Sequence, residues 1–254
     1  MVIPKLKFEK ISLEENISII LNAYLNKSDK TLDIHNLLEE YYLELQDIRK
    51  NISKKEISTI IKTTVSNYYT SNSQNIDNMC LKYQDIWNKY NDAYFTNLSK
   101  YLNKKWPNDL KEIVCYVGML PFFPRNLDKQ TFYINPHLNE KNLTKACAHE
   151  TLHFLWFKKW QELYPETLKE EFESPHLPWL YSEIVTSPIL NNTEFQKIFE
   201  FQEKGYSYLY TLYDGEKLVM DEIYKIFNSQ NNIEDKIKNG YKYLKNINFT
   251  EKDK

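Results

Sequence analysis

Between Leu143 and Trp160 the chain places apolar residues on nearly every side of the helix that their spacing predicts, and inside that run stand His149, Glu150 and His153. Leu143, Ala146, Cys147, Leu152, Phe154, Leu155, Trp156 and Phe157 leave no continuous polar face, so the helix is a buried one. Two histidines and a glutamate in such a helix need partners, because burial strips each of them of water. One helical residue advances about 100°, which sets positions i and i+4 about 40° apart and one turn above the other. Both imidazoles can then reach one metal ion. Glu150 is displaced by one residue step, beside the ligands and not among them, where a carboxylate can act as general base toward water held by the metal. The spacing H-E-x-x-H is a zinc-site pattern for these reasons.

A catalytic Zn²⁺ takes three protein ligands and keeps a fourth position open, so one more ligand is required. The longer motif that continues with a glycine and a third histidine would place them where this chain has Trp156 and Lys159, which excludes that arrangement. Two options remain. Glu183 lies in a predicted helix beside Leu180, Ile184 and Ser187, a buried setting in which a carboxylate needs a metal or a cation. His176 lies in Ser174-Pro-His-Leu-Pro178, an exposed segment stiffened by prolines, and can serve as a ligand or as a donor to a developing oxyanion. Glu183 is the preferred ligand, with His176 kept open.

His149-Glu150-Thr-Leu-His153 followed by a separate helix bearing Ser182-Glu183-Ile-Val resembles the gluzincin metallopeptidases of the thermolysin type, over roughly residues 110–190. The resemblance implies a zincin-like core, Zn²⁺ held by His149, His153 and Glu183, Glu150 as catalytic base, and a peptide or protein substrate. It also implies that the strand before the motif helix, here Gln130 to Ile134, is an edge onto which an extended peptide adds as a further strand. Donors to the transition state in such enzymes are often Tyr or His, which makes His176, Tyr181 and the Tyr206 to Tyr213 group candidates. Thermolysin-type enzymes carry an Asp four residues after the ligand Glu to orient the first histidine. This chain has Ser187 there, so the partner of His149 is unassigned. The rival to an enzyme is a zinc-binding scaffold or interaction domain that keeps the fold without turnover.

The rest of the chain sets the architecture. Ser12 to Glu15 and Ser53 to Glu56 have capping-box spacing, and helices are predicted over Ile17–Leu25, Ile34–Ile48 and Ile57–Tyr68. A turn at Asn26 to Asp29 separates the first two. A polar turn at Ser71 to Gln74 precedes a long helix from Ile76 to Tyr101. Two strands are expected, Glu112–Val117 and Gln130–Ile134, joined by the Pro-rich link Leu120–Arg125. After the motif helix come a helix from Trp179 ended or kinked at Pro188, one capped by Thr193 through Phe201, and a last pair over Met220–Phe227 and Ile233–Leu244. The expectation is a predominantly helical α+β protein: a helical region over 1–106, then a zincin-like domain with a small sheet over 107–254.

With 33 Lys and Arg against 35 Asp and Glu and no long block of one sign, neither nucleic acid nor an anionic membrane is expected as partner. Only 4 Gly argues against Gly-turn β architectures. Cys80, Cys115 and Cys147 form no C-x-x-C pair and fit reduced thiols, and the N-terminus lacks the apolar core of a signal peptide, so a cytoplasmic setting is expected. His35, one turn before Glu39, reads as structural, His137 as a turn residue and Cys147 as packing. Oligomeric state has no signal in the sequence.

Overall fold

Strand β1 (Lys5–Lys10), which the sequence expectations lack, buries Leu6 and Phe8 between exposed Lys5, Lys7 and Glu9, the period of two that marks a half-buried strand. The structure, a computed structural model, describes residues 2–25, 34–48, 53–247 and 250–251. Helix α1 (Leu13–Leu25) starts where Ser12 Oγ accepts from Glu15 N at 3.1 Å. The turn expected at Asn26 to Asp29 lies outside the described residues. Helix α2 (Ile34–Tyr41) is shorter than predicted. Its continuation is a 3₁₀ turn over Leu43–Asp47, because Tyr42 leaves helical geometry (φ −117°, ψ 90°) to bury its ring and donate its hydroxyl to the Met119 carbonyl.

Helix α3 (Lys54–Asn88) carries the full capping box: Ser53 Oγ accepts from Glu56 N, and Glu56 Oε2 accepts from Ser53 N. It runs straight through Ser71–Gln74, where a turn is predicted. That stretch holds no Gly or Pro, its polar residues lower helix propensity by only tenths of a kcal/mol each, and Lys10 Nζ donates to Ser73 O (3.1 Å) and Ser73 Oγ (2.7 Å) and pairs with Asp77. The predicted Ile76–Tyr101 helix is accordingly divided, its second part being α4 (Asn91–Tyr101).

Strands β2 (Glu112–Val117), β3 (Arg125–Asn126) and β4 (Thr131–Ile134) join β1 in a sheet of order β1-β2-β4-β3, parallel except for the β3–β4 pair. This corrects the expectation that Gln130–Ile134 is a free edge. The Pro-rich link is long enough to return as β3, so β4 pairs with Val114–Val117 on one side and with Arg125 and Asn126 on the other, and Tyr133 N also donates to Pro124 O.

The chain forms two compact units, one drawn from Pro4–Lys89 and Lys111–Leu143, the other from Tyr90–Leu110 and the chain from Thr144 on. Each takes residues from both sides of the expected 106/107 division. The parallel β1–β2 pairing is the reason for the first, since it joins the start of the chain to Glu112–Val117.

The second unit contains α4, α5 (Glu140–Leu163) from Thr144 onward, α6 (Leu177–Leu190), α7 (Thr193–Gln196), α8 (Val219–Phe227) and α9 (Ile233–Asn246). A small antiparallel sheet comprises β5 (Leu212–Asp214), β6 (Lys217–Leu218) and β7 (Thr250–Glu251). The helix predicted to start at Thr193 is only α7, and its cap is Asn192, whose Oδ1 accepts from Glu194 N at 3.0 Å. Helix α6 passes Pro188 and ends at Leu190. Proline there removes one backbone hydrogen bond, and burial of nearly the whole helix offsets it. The fold is α+β and mostly helical, as predicted.

Tyr181 of α6 is fully buried between Trp156, Trp160 and Tyr241, with its hydroxyl donating to the Ile237 carbonyl of α9 at 3.2 Å. Gly240 is what lets α9 come so close: a Cβ there would stand 2.1 Å from the Tyr181 oxygen and 2.8 Å from its Cζ. Gly240→Ala is therefore expected to destabilise the fold by about 1–3 kcal/mol, read as a lower denaturant midpoint at unchanged slope.

Candidate metal centre

Helix α5 begins where Asn139 Oδ1 accepts from Asn142 N at 2.9 Å. From Leu143 to Trp160 its residues are buried apart from Lys145, His149 and Lys158, which are partly exposed. The all-round burial that the apolar sequence predicts is present. Within the second unit Tyr94 donates to the Ala148 carbonyl at 2.5 Å, and Thr151 Oγ1 donates to Cys147 O at 2.5 Å, so the backbone around His149 is fixed by side chains as well as by the helix. Cys147 is buried and outside any disulfide, as are Cys80 and Cys115.

His149 and His153 stack one turn apart with ring centroids 4.9 Å from each other, and Phe157 lies against the far side of His153 at 6.0 Å. Helix α6 brings Glu183 to both rings: Oε2 is 3.1 Å from His149 Nε2 and Oε1 is 3.5 Å from His153 Nε2. One donor atom from each of the three residues lies within 4.8 Å of the other two. Glu183 is 1% exposed, His153 0% and His149 13%, so the cluster meets solvent only on the His149 side. Two imidazole nitrogens and a carboxylate oxygen at this spacing could hold a metal ion, with the carboxylate from a separate helix. Glu150 is also buried, on the turn of α5 between the two histidines.

The electrostatics centre on His149. Burial alone would push its imidazole down, but the hydrogen bond to Glu183, the Glu203 carboxylate facing Nδ1 and the charge of Glu150 reverse that and hold it well above the usual histidine range. Three carboxylates gathered around one ring form an environment that favours a cation.

Glu203 is the residue that sequence reasoning missed. It lies in the irregular chain between α7 and the 3₁₀ turn at Ser207–Thr211, and Oε1 faces His149 Nδ1 at 3.7 Å. Burial would raise its carboxyl, while His149, Lys145 and the Gly205 N–H together hold it below the usual glutamate range. The one local signal is Gly205, at φ +61° among only 4 glycines, which turns its N–H back onto Glu203 Oε1 at 2.6 Å.

The remaining candidates lie elsewhere. Ser187, at the position where the resemblance asks for an orienting Asp, bonds through Oγ to the Glu203 carbonyl (2.8 Å) and to the Tyr224 (2.8 Å) and Tyr210 (3.1 Å) hydroxyls. Tyr181, expected as a catalytic donor, is committed to the α9 carbonyl described above. Two residues before Glu183, it projects about 200° away around α6. His176 stands exposed at the N-terminal cap of α6, two helical turns ahead of Glu183 and outside the cluster. His137 is exposed in a turn, its N–H donating to Asn135 Oδ1 at 2.9 Å, and the His35 ring packs on Tyr24 at 4.3 Å. Among the described residues no helix is long and apolar enough to cross a membrane. Compared with family models, with curated proteins and with solved structures, the chain matches none.

Proposed function

We propose that the protein is a zinc-dependent metallopeptidase acting on peptide or protein substrates in the cytoplasm, with His149, His153 and Glu183 as the metal ligands. The observation that carries this reading is the convergence of those three side chains within 4.8 Å, on two helices and in a buried setting. When bound, Zn²⁺ supplies Lewis-acid polarisation of a carbonyl and brings the pKa of water to about 7. The chain's own residues do the rest. Glu183 faces both rings and fixes the spacing of the ligand set. Glu150, one step from His149 on the same buried helix, takes a proton from the attacking water and hands it to the departing amine nitrogen. Burial of His153 and Glu183 keeps bulk water from competing for the ligand atoms and strengthens each charge interaction there.

A zinc-binding scaffold without turnover is the second reading, favoured by one observation. Tyr181 is consumed by its bond to α9, so one of the named candidate transition-state donors is structural. The readings part on a simple pair of measurements, the zinc content of the purified protein and its cleavage of a mixed peptide library. One equivalent of zinc with chelator-sensitive cleavage is expected. Zinc without cleavage would favour the scaffold, and the lack of both would remove the metal reading.

A further inference from the structure

We infer that Glu203 is the positioning residue for His149, holding the ring through Nδ1 so that Nε2 is presented to the metal. The consequence for metal binding rests on the zinc reading above; the contact itself does not.

The two nitrogens of His149 face two different carboxylates, Nε2 toward Glu183 at 3.1 Å and Nδ1 toward Glu203 at 3.7 Å. An imidazole that ligates through Nε2 retains its proton on Nδ1, and a carboxylate facing that N–H favours this tautomer, restricts rotation of the ring and raises the basicity of the ligating nitrogen.

A residue in irregular chain can position another only when it is itself fixed, and Glu203 is fixed at three places. Its N–H donates to Asn191 Oδ1 at 2.8 Å. Its carbonyl accepts from Ser187 Oγ at 2.8 Å and from Asn191 Nδ2 at 2.7 Å. Its carboxylate accepts from Gly205 N at 2.6 Å, and Lys145 Nζ lies 3.7 Å from the same oxygen. The side chain is 1% exposed. Ser187 and Asn191 are one turn apart at the end of α6, the helix that carries Glu183 one turn earlier still. The helix that supplies the third ligand therefore also anchors the backbone of the residue addressing the first. A buried carboxylate held this closely, beside a ring it could otherwise avoid, is accounted for by that task.

The test compares parent and Glu203→Gln, the variant that removes the charge and keeps the shape. Zinc affinity is measured by competition with a chelator of known affinity, and the ¹⁵N resonances of the His149 ring are recorded with and without Zn²⁺. The variant is expected to bind zinc about 10- to 100-fold more weakly, with a displaced Nδ1 resonance and a circular dichroism spectrum like the parent's. Equal zinc affinity in parent and variant overturns the inference. If the parent takes up no zinc, the metal reading fails and the metal-free spectra decide: an Nδ1 resonance indifferent to the substitution overturns the contact, and a displaced one supports it. If Glu203→Gln does not fold, Ser187→Ala, which frees one anchor of the Glu203 carbonyl, is carried through the same measurements, with a several-fold loss of zinc affinity expected and no loss counting against the inference.

Discussion

Glu150→Gln is expected to retain one equivalent of Zn²⁺ and to lose peptide hydrolysis by about 100- to 10,000-fold, the usual contribution of a positioned proton-transfer group. The substitution keeps size and hydrogen-bonding capacity but leaves an amide that accepts no proton at neutral pH. Because Glu150 is outside the ligand set, the metal content measured on the same sample separates loss of chemistry from loss of the site. Glu150 is buried, so Gln also removes a negative charge from beside His149, and a modest change in zinc affinity accompanies the variant. Hydrolysis at the parent's rate by metal-loaded Glu150→Gln would remove Glu150 from the mechanism. Turnover that disappears together with the metal would assign it a structural task instead.

The parts of the centre that were legible in the sequence share one property, a local period. His149 and His153 are i and i+4 on an uninterrupted apolar helix, and that helix forms with the burial that its residues predict. Glu183 was legible more weakly, as a charge among apolar neighbours in a second helix. Glu203 was not legible, because it lies in irregular chain 54 positions after His149 and its hold on the ring depends on where Ser187, Asn191 and Gly205 place its backbone. The same distinction separates the fold expectations. The capping box at Ser53 works as written, whereas the polar run at Ser71–Gln74 was read as a turn when it is the middle of α3, its residues suiting an exposed helix face as well as a loop. Strand β1 carried a plain alternation of Lys and Glu with Leu and Phe; in six residues that pattern acquires its meaning only from the parallel partner at Glu112–Val117, a contact across the sequence. Tyr181 shows the reverse error. An aromatic hydroxyl two residues from a ligand looks catalytic in one dimension, yet the helical step turns it into the core, where Gly240 leaves room for it.

The substitution with the widest consequence is Glu183→Ala. In the parent, zinc that binds only the folded state stabilises it by about 4 kcal/mol at a concentration 1,000 times the dissociation constant, which appears as a higher unfolding temperature on adding Zn²⁺. Of the three proposed ligands Glu183 is the carboxylate, and it faces both rings at once, Oε2 to His149 and Oε1 to His153. Without it two imidazoles on one helix remain, and Zn²⁺ is expected to produce no measurable shift in the variant at the concentration that saturates the parent. Thermal unfolding followed with and without Zn²⁺ is the measurement, and His176→Ala is its control, since that residue stands exposed before the first turn of α6, outside the cluster, and its variant should respond as the parent does. An undiminished response from Glu183→Ala with a lost one from His176→Ala would transfer the third ligand to His176. In the metal-free protein the same carboxylate is set against a ring with Glu150 and Glu203 close by, so removing it also relieves repulsion among buried negative charges. The unfolding temperature without metal therefore does not by itself reveal the site; the response to zinc does, because only that difference isolates what the carboxylate contributes as a ligand.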